Sequence, residues 1–336
     1  MTGADGLQHL GVIGGGAWGT ALGAVFARAG RRTLLWAREP EVVEEINDRH
    51  ENSLFLPDIA LPGDLRASGD LAAFAAMDAL FLVTPAQHLR AVAGALRPHL
   101  ERPLPLVICA KGIERDSGRL MSDVLAETLP GHPIAVLSGP TFAAEVARGL
   151  PAALTLASAD EALGRALMAA IALPTFRTYY SADIIGAQIG GAVKNVLAIA
   201  CGVVAGLQLG ENARAALITR GLAEMTRFGV AMGARRETLM GLSGVGDLIL
   251  TCSSEQSRNM SLGKALGEGR RAADILAERR SVAEGVWSAG VVARLGRKHG
   301  IEMPITDAVV ALLAPDARVG AVVEGLLARP LKAEEP

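Results

Sequence analysis

The stretch that decides the fold of this chain is Gly11-Val-Ile-Gly14-Gly15-Gly16-Ala17-Trp18-Gly19. It places the spacing G-x-G-x-x-G at Gly14, Gly16 and Gly19, after the apolar run His9 to Ile13 and before a helical pattern. In a dinucleotide-binding turn these glycines permit a tight turn, close approach of backbone N–H groups to a pyrophosphate, and close helix packing. The helix N-terminus also favours an anion. The stretch predicts a nucleotide site, with a purely structural turn as the alternative.

Short apolar runs alternate with helical patterns from this turn to about Asp183. The predicted strands are His9 to Ile13, Arg32 to Trp36, Asp78 to Thr84, Leu104 to Ala110, Ile134 to Leu137 and Leu154 to Ala157. Apolar strands separated by helices indicate a parallel sheet that is covered on both faces and binds ligands at its carboxyl edge. We therefore expect an α/β, Rossmann-type, doubly wound parallel sheet domain in residues 1–183.

The second half has a different residue pattern: long stretches rich in Ala, Leu and Val are interrupted by glycine. The predicted helices are Ala187 to Gly206, Ala213 to Gly229, Met260 to Leu266, Ala289 to His299 and Thr306 to Leu313. These patterns predict an all-α domain at 184–330, followed by a frayed tail at 331–336. A chain of 336 residues has the length of about two domains of roughly 150 residues.

The overall composition excludes several classes of protein. Half of the residues are hydrophobic, 20% are charged and the net charge is -2, so neither a disordered chain nor a nucleic-acid-binding protein is expected. The mean hydropathy of +0.32 raises the question of a membrane span. The most helix-like uncharged stretch, Asn195 to Gly210, is shorter than the roughly 20 residues that a span needs. No secretion signal is visible, and we expect a cytoplasmic protein without stable membrane insertion.

The sequence offers no metal site and no serine-hydrolase site. The histidines are scattered without metal-ligand spacing, and the cysteines are far apart: His9, His50, His88, His99, His132 and His299; Cys109, Cys201 and Cys252. The segment Ser138-Gly139-Pro140-Thr141 is not a G-x-S-x-G nucleophile turn. Serine-hydrolase and metal-dependent chemistry therefore have no support.

The end of the second predicted strand bears on the choice of cofactor. The chain reads Leu35-Trp36-Ala37-Arg38-Glu39, where NAD-binding proteins carry an acid for the ribose hydroxyls. Arg38 is a cation at the place of an adenosine 2′-phosphate, which predicts use of NADP(H), alone or alongside NAD(H). Glu39 as the ribose acid is the alternative.

Three ionisable residues have the pattern of an active site. Lys111 follows an apolar strand and is expected at the ligand crevice, and Lys194 lies inside an otherwise apolar helix. Burial of an ammonium implies a partner and lowers its pKa toward the range useful for proton transfer. Asp247, in a glycine-rich turn, could orient or balance Lys194. The alternatives are solvated lysines and an Asp247 that caps a helix.

The segment Ser257-Arg258-Asn259 combines a hydroxyl, a guanidinium and an amide, which together suit recognition of a phosphate or carboxylate. A helix N-cap at Ser257 or Asn259 explains the same residues equally well. His50, Asn52 and Glu284 are lone polar residues, and by themselves each favours a structural role.

Taken together, the motifs resemble the bacterial NAD(P)-dependent glycerol-3-phosphate dehydrogenase family along nearly the whole chain. The similar segments are Gly14 to Leu22, Asn52 to Pro57, Ala110 to Glu114, Ser138 to Ala143, Gly191 to Val196, Gly244 to Leu248, Ser257 to Asn259 and Val282 to Gly285. Several distinct motifs in one order are far more specific than a glycine turn alone. Phe55, Asp58 and Gly23 depart from the family's usual Tyr, Gly and Ala, at positions away from the expected chemistry.

The resemblance implies interconversion of dihydroxyacetone phosphate and sn-glycerol 3-phosphate, with the alcohol feeding phospholipid synthesis. It implies that Lys194 is the proton acceptor in alcohol oxidation, that Lys111 polarises the oxygen at C2, and that Asp247 is a substrate-site acid. Substrate-binding positions would be Lys111, Gly139, Thr141, Lys194, Asp247, Ser257, Arg258 and Asn259. Cofactor-lining positions would be Gly14, Gly16, Ala17, Trp18, Gly19, Arg38, Lys111, Ala143, Arg258, Val282 and Glu284.

Two other functions fit parts of the sequence. A two-domain dehydrogenase of the β-hydroxyacid type also uses a helical second domain and a lysine, but its substrates are carboxylates. A non-catalytic dinucleotide sensor would keep the glycine turn and need neither lysine. An apolar helical half offers surface that a homodimer would bury, although no single residue demonstrates one.

Overall fold

The computed structural model of the chain describes residues 6–278 and 283–330. Eight strands form one sheet in the first half: β1 (His9–Ile13), β2 (Arg32–Trp36), β3 (Arg66–Ser68), β4 (Ala79–Leu82), β5 (Leu106–Ile108), β6 (Ile134–Ser138), β7 (Ala152–Ser158) and β8 (Phe176–Ser181). The cofactor candidate Val282 and the predicted frayed tail at 331–336 lie outside the described residues.

Helices connect the strands and make up the second half. Those of the first half are α1 (Ala17–Arg28), α2 (Pro40–Glu44), α3 (Leu89–Leu96), α4 (Met121–Thr128), α5 (Ala143–Ala147) and α6 (Glu161–Ile171). Those of the second half are α7 (Ile184–Gly206), α8 (Gly210–Ala231), α9 (Arg236–Leu239), α10 (Asp247–Cys252), α11 (Arg258–Gly267), α12 (Ala272–Glu278), α13 (Glu284–Lys298), α14 (Pro304–Leu312) and α15 (Val319–Leu327).

The sheet has the strand order β3-β2-β1-β4-β5-β6-β7-β8, and β1 lies between β2 and β4. All pairs from β3 to β6 are parallel. Alternate residues enter separate apolar cores on the two faces: Val12 packs into one and Ile13 into the other. The predicted doubly wound sheet and helical second half are confirmed.

The structure differs from the sequence prediction at three strands. β7 pairs antiparallel with β6, because the connection contains only the five-residue α5, which spans about 7.5 Å and does not return the chain along a strand of about 17 Å. β3 was not predicted, since three residues give no periodic signal. β8 was also missed, because it is a partly exposed edge strand without a continuous apolar run.

Helix α7 is the centre of the second half. It is long and apolar enough to cross a membrane by length and composition, but 83% of its most apolar window is buried inside the protein. Glycine lets α11 approach it closely: a Cβ on Gly202 would lie 2.1 Å from the Met260 carbonyl oxygen, and one on Gly263 would lie 1.9 Å from that of Ile199. This packing explains the hydropathy of α7 as that of a core helix.

Candidate active site

The carboxyl ends of β1, β4, β5 and β6 meet at one edge of the sheet, because these neighbouring strands are parallel. Ligands of such sheets bind in the crevice beyond this edge. The loops that leave the edge carry Gly14, Lys111 and Gly139. The helical half closes on the same edge, since the Glu284 carboxylate accepts a hydrogen bond of 3.2 Å from the Ala86 N–H. The crevice therefore lies between the two halves.

The glycine turn has the geometry that a dinucleotide cradle requires. Gly14 has a φ of +133°, a conformation that favours glycine, and its N–H donates to the Trp36 carbonyl at 3.1 Å. A Cβ on Gly19 would lie 1.8 Å from the Gly14 carbonyl oxygen, whereas the Cβ position of Gly16 has no neighbour within 4 Å. The turn is therefore tightly packed at Gly19 and open at Gly16. An open side at the N-terminus of α1 fits a bound pyrophosphate.

The cofactor candidates next to the glycines start helix α1. Ala17 is the first residue of α1, and Trp18 follows it. The indole Nε1 of Trp18 is buried and has no hydrogen-bond partner among the described residues. An unsatisfied buried donor two residues after Gly16 fits a site that a ligand completes.

Arg38 and its competitor Glu39 lie together beyond the carboxyl end of β2. The Arg38 guanidinium donates to the Glu39 carboxylate at 2.9 Å, and 80% of the Arg38 side chain is exposed. Arg38 can therefore leave this exposed pair at little cost, because surface ion pairs contribute only about 0–1 kcal/mol. The pair leaves both explanations of the segment open.

Two lysines share one buried carboxylate at the base of the crevice. Lys111 Nζ donates to Asp247 Oδ2 at 2.7 Å and to the Gly139 carbonyl oxygen at 2.9 Å. Lys194 Nζ donates to Asp247 Oδ1 at 2.5 Å and to Thr251 Oγ1 at 2.9 Å. Asp247 is fully buried, and the side chains of Lys111 and Lys194 are 18% and 7% exposed. Neither lysine is a solvated surface residue. Asp247, which the sequence offered as a partner for Lys194, contacts it directly.

The electrostatic balance of this network makes Lys194 easy to deprotonate. Burial of the ammonium and, to a smaller extent, the Lys111 charge lower the pKa of Lys194, Asp247 raises it, and the balance of these effects is a pKa of about 8. Each ammonium has three N–H groups, of which two are used, so one remains for an oxygen in the crevice. The network can thus exchange a proton near neutral pH.

The loop after β6 brings backbone to Lys111. Besides binding Lys111, the Gly139 carbonyl oxygen accepts a hydrogen bond of 3.4 Å from the Thr141 hydroxyl. A Cβ on Gly139 would lie 2.8 Å from the Leu154 Cα, so glycine is required there by close approach. Ala143 begins α5 and packs against the core beside α1.

The Ser257-Arg258-Asn259 segment begins helix α11, and the structure confirms the N-cap explanation for Ser257. The Ser257 hydroxyl oxygen accepts from the Met260 N–H at 3.2 Å. The Asn259 amide donates to Asn195 Oδ1 at 2.9 Å and accepts from the Gly285 N–H at 3.0 Å. Arg258 lies between them with an exposed side chain. A cap role does not exclude ligand contacts, since the Ser257 O–H proton is not used in the cap.

Glu284 links the helical half to the segment that follows β4. Burial raises the pKa of its carboxyl above the usual range, and the hydrogen bond from the Ala86 N–H and the Arg258 charge oppose that rise. Its Oε2 is buried and has no hydrogen-bond partner among the described residues. An unsatisfied oxygen of this kind is a candidate acceptor for a ligand N–H or O–H group.

Two residues of the site were missed by sequence reasoning. Thr251 accepts from Lys194, and its place four residues after Asp247 on a helix is a spacing that could have revealed it. Asn52 was interpreted as a lone polar residue, but its amide binds the carbonyl oxygen of Gly15 in the glycine turn at 2.9 Å. No local signal links Asn52 to that turn.

Comparison with known families gives two matches that together span most of the chain. The sequence model of the NAD-dependent glycerol-3-phosphate dehydrogenase N-terminus matches residues 9–164. The model of the C-terminus of the same family matches residues 183–324.

Individual proteins agree with these matches. The chain is 59% identical over 97% of its length to the glycerol-3-phosphate dehydrogenase (NAD(P)+) of Parvibaculum lavamentivorans, covering 98% of that protein. It is 61% identical over 97% of its length to the protein of the same name from Caulobacter vibrioides, covering 99% of it. A crystal structure of glycerol-3-phosphate dehydrogenase from Coxiella burnetii superposes with a TM-score of 0.92 at 39% identity, covering 96% of this chain and 99% of that one.

Proposed function

This chain belongs to the NAD-dependent glycerol-3-phosphate dehydrogenase family, and we propose that it interconverts dihydroxyacetone phosphate and sn-glycerol 3-phosphate by using Lys194 as its proton donor and acceptor. The observation that carries this assignment is the network in which Lys111 and Lys194 share the buried Asp247 at the carboxyl edge of the sheet. The network supplies a titratable ammonium and a second fixed cation at one point of the crevice.

The proton chemistry follows from the charges. NAD(P)H held at the glycine turn would supply the hydride that the ketone carbon C2 receives. Lys194 donates its proton to the oxygen at C2, and Lys111 stabilises the negative charge that develops on that oxygen. In the oxidative direction Lys194 acts as the neutral amine and accepts the alcohol proton. Asp247 holds both lysines and offsets one of their two charges, which keeps Lys194 protonated at neutral pH.

The other polar residues divide between substrate and cofactor. We assign the phosphate of the substrate to Arg258, Asn259 and Ser257, because a guanidinium, an amide and a hydroxyl suit a dianion remote from C2. Gly139 and Thr141 complete the substrate loop. We assign the cofactor to Gly14, Gly16, Ala17, Trp18, Gly19, Arg38, Lys111, Ala143, Arg258, Val282 and Glu284, of which Val282 lies outside the described residues.

The organisation of the chain is also part of the proposal. We place the boundary between the sheet domain and the helical domain at Asp183, whose carboxylate accepts from the Gly186 and Arg235 N–H groups at 2.8 Å each and so fixes the start of α7. A cytoplasmic homodimer that supplies phospholipid synthesis is the expected state. None of the residues of α15 is buried, and Leu327 is 78% exposed, which supports cover by a second copy.

An absorbance assay of NADPH and NADH oxidation with dihydroxyacetone phosphate tests the function. Parallel assays with the oxo forms of β-hydroxyacids separate it from the related class of dehydrogenases, whose substrates are carboxylates. We expect oxidation with the phosphorylated ketone alone. Oxidation only with the carboxylates would replace the proposal, and nucleotide binding without turnover of any substrate would indicate a dinucleotide sensor.

A further inference from the structure

Asn52 lies far from the glycine turn in sequence but directly beneath it in the fold. Its side chain is fully buried, and its amide Nδ2 donates to the Gly15 carbonyl oxygen at 2.9 Å and to Thr20 Oγ1 at 2.7 Å. The Thr20 hydroxyl in turn donates to the same Gly15 carbonyl at 3.3 Å. Two donors therefore converge on one carbonyl oxygen in the turn.

The loop that carries Asn52 is itself held in place. Asn52 Oδ1 accepts from the Phe55 N–H at 3.2 Å, and the Leu56 N–H donates to the Asn52 carbonyl oxygen at 2.8 Å. Leu56 is only 3% exposed and anchors the loop in the core. The Asn52 amide is thus presented from a closed loop, so its position does not depend on the turn that it binds.

Fixing the Gly15 carbonyl also fixes the N–H of the next residue. The peptide unit is planar and trans, so the Gly16 N–H points away from the oxygen that Asn52 holds. No described group accepts a hydrogen bond from the Gly16 N–H. Three consecutive glycines have little intrinsic preference for one orientation of the peptide between them. The orientation must therefore come from elsewhere in the fold.

We propose that Asn52 is a positioning residue for the cofactor, which holds the Gly15–Gly16 peptide so that the Gly16 N–H faces the pyrophosphate of the dinucleotide. The inference rests on the proposed function only in requiring that the chain binds NAD(P)H. Asn52 makes no contact with the reacting atoms, so its loss should weaken cofactor binding and leave the chemical step intact.

The chain offers a matched control in Asn47. Its amide Nδ2 donates to the Ala67 carbonyl oxygen at 3.0 Å, and its Oδ1 accepts from the Ala67 N–H at 2.9 Å. Asn47 thus clamps backbone in the same way as Asn52, but on strand β3 instead of the glycine turn. If NADPH binding weakens through a general loss of stability, replacement of either Asn52 or Asn47 should weaken it. If it weakens through a loss of cofactor positioning, only replacement of Asn52 should do so.

The test is a fluorescence titration of NADPH, without substrate, into wild type, Asn52→Ala and Asn47→Ala. We expect the Kd of Asn52→Ala to rise about tenfold, which is equivalent to about 1.4 kcal/mol, and that of Asn47→Ala to stay within about twofold. At saturating NADPH the kcat of Asn52→Ala should remain within about twofold of wild type. An unchanged Kd in Asn52→Ala, or equal weakening in both variants, would overturn the proposal.

A second measurement covers the case in which Asn52→Ala does not fold. Asn52→Asp keeps the shape and the acceptor for the Phe55 N–H but lacks the amide donor. Hydrogen exchange of the amides at 14–17, measured without nucleotide, should be faster in Asn52→Asp than in wild type, and unchanged exchange would refute the inference. Wild type that binds NADPH but does not reduce dihydroxyacetone phosphate would refute the proposed function and leave this inference standing.

Discussion

The glycine turn and the lysine network face one crevice, but they are held by different forces. The turn lies within Gly11 to Gly19 and depends on backbone conformation, since a Cβ on Gly19 would collide with the Gly14 carbonyl. The network joins Lys111 and Asp247, which are 136 residues apart, and it depends on charge. The first region should therefore fail when an atom is added, and the second when a charge is removed.

The largest expected effect separates the two regions. Lys194→Ala removes the proposed proton donor, and we expect turnover of dihydroxyacetone phosphate to fall by about 10²- to 10⁴-fold, the usual contribution of general acid catalysis. NADPH binding, measured by fluorescence titration, should change by less than about twofold, because the glycine turn is untouched. Lys264→Ala, which removes a partly exposed lysine paired with Glu255, is the control and should keep full turnover. Turnover close to wild type in Lys194→Ala would show that another group moves the proton.

Gly19→Ala should have the reverse effect, because it changes the glycine turn and leaves the lysine network untouched. The added methyl group would lie 1.8 Å from the Gly14 carbonyl oxygen and displace the backbone of the turn, so we expect the Kd for NADPH to rise by about 100-fold. Gly23→Ala on the same helix is the control, because its Cβ would meet only the ends of the Leu65 and Leu35 side chains, the nearer at 3.1 Å, and no backbone atom. If both variants bind NADPH as wild type does, the turn is not the cofactor cradle.

The contrast also explains what the sequence could predict. The turn, the first two strands and helix α7 carry their signals within short stretches, so their positions agree with the structure within a few residues. The direction of β7 was not predicted, because strand direction depends on the length of the connection. The edge strand β8 was not predicted, because it lacks a continuous apolar run.

The network could be predicted only in part. A lysine inside an apolar helix implies a partner, and Asp247 was a reasonable candidate because it is the carboxylate of a glycine-rich turn. Nothing local indicates that Lys111 binds the second oxygen of the same carboxylate, since that contact needs the whole sheet and α10 in place. Asn52 was interpreted as structural for the same reason: its target, the Gly15 carbonyl, is 37 residues away.

The substrate side of the crevice gives the next largest effect. Arg258→Ala should raise the KM for dihydroxyacetone phosphate by roughly 10- to 100-fold, the equivalent of one charge-assisted hydrogen bond of about 1.5–3 kcal/mol. Arg270→Ala removes an exposed arginine paired with Glu278 and should leave the KM unchanged. An Arg258→Ala variant with the KM and turnover of wild type would remove Arg258 from the phosphate site.

The pH dependence tests the charge balance of the network. Because the pKa of Lys194 is about 8, ketone reduction should fall as the pH rises through that value, whereas alcohol oxidation should rise. Asp247→Asn removes the carboxylate that raises this pKa, so the fall in reduction should move to lower pH by about one unit or more. Steady-state rates across the pH range measure both shifts. A profile that stays in place in Asp247→Asn would mean that Asp247 does not set the charge of Lys194.

The smallest effect concerns Arg38, which belongs to neither kind of region: it depends on charge but lies exposed. Arg38→Ala should lower the ratio of kcat/KM for NADPH to that for NADH by several-fold, up to about tenfold, because an exposed guanidinium gains little from a phosphate that water also solvates. The difference should shrink at high salt. Kinetics with both cofactors measure this ratio. An unchanged ratio in Arg38→Ala would show that Arg38 does not recognise the 2′-phosphate.

Glu39→Ala decides between the two explanations of that segment. If Arg38 binds the 2′-phosphate, removal of Glu39 frees the guanidinium from its 2.9 Å ion pair, and the preference for NADPH should increase. If Glu39 binds the ribose hydroxyls instead, Glu39→Ala should raise the KM for NADH while Arg38→Ala changes little. The two explanations therefore predict different results for the same pair of variants. They can be separated in this way because a single ion pair joins Arg38, which would recognise NADPH, to Glu39, which would recognise NADH.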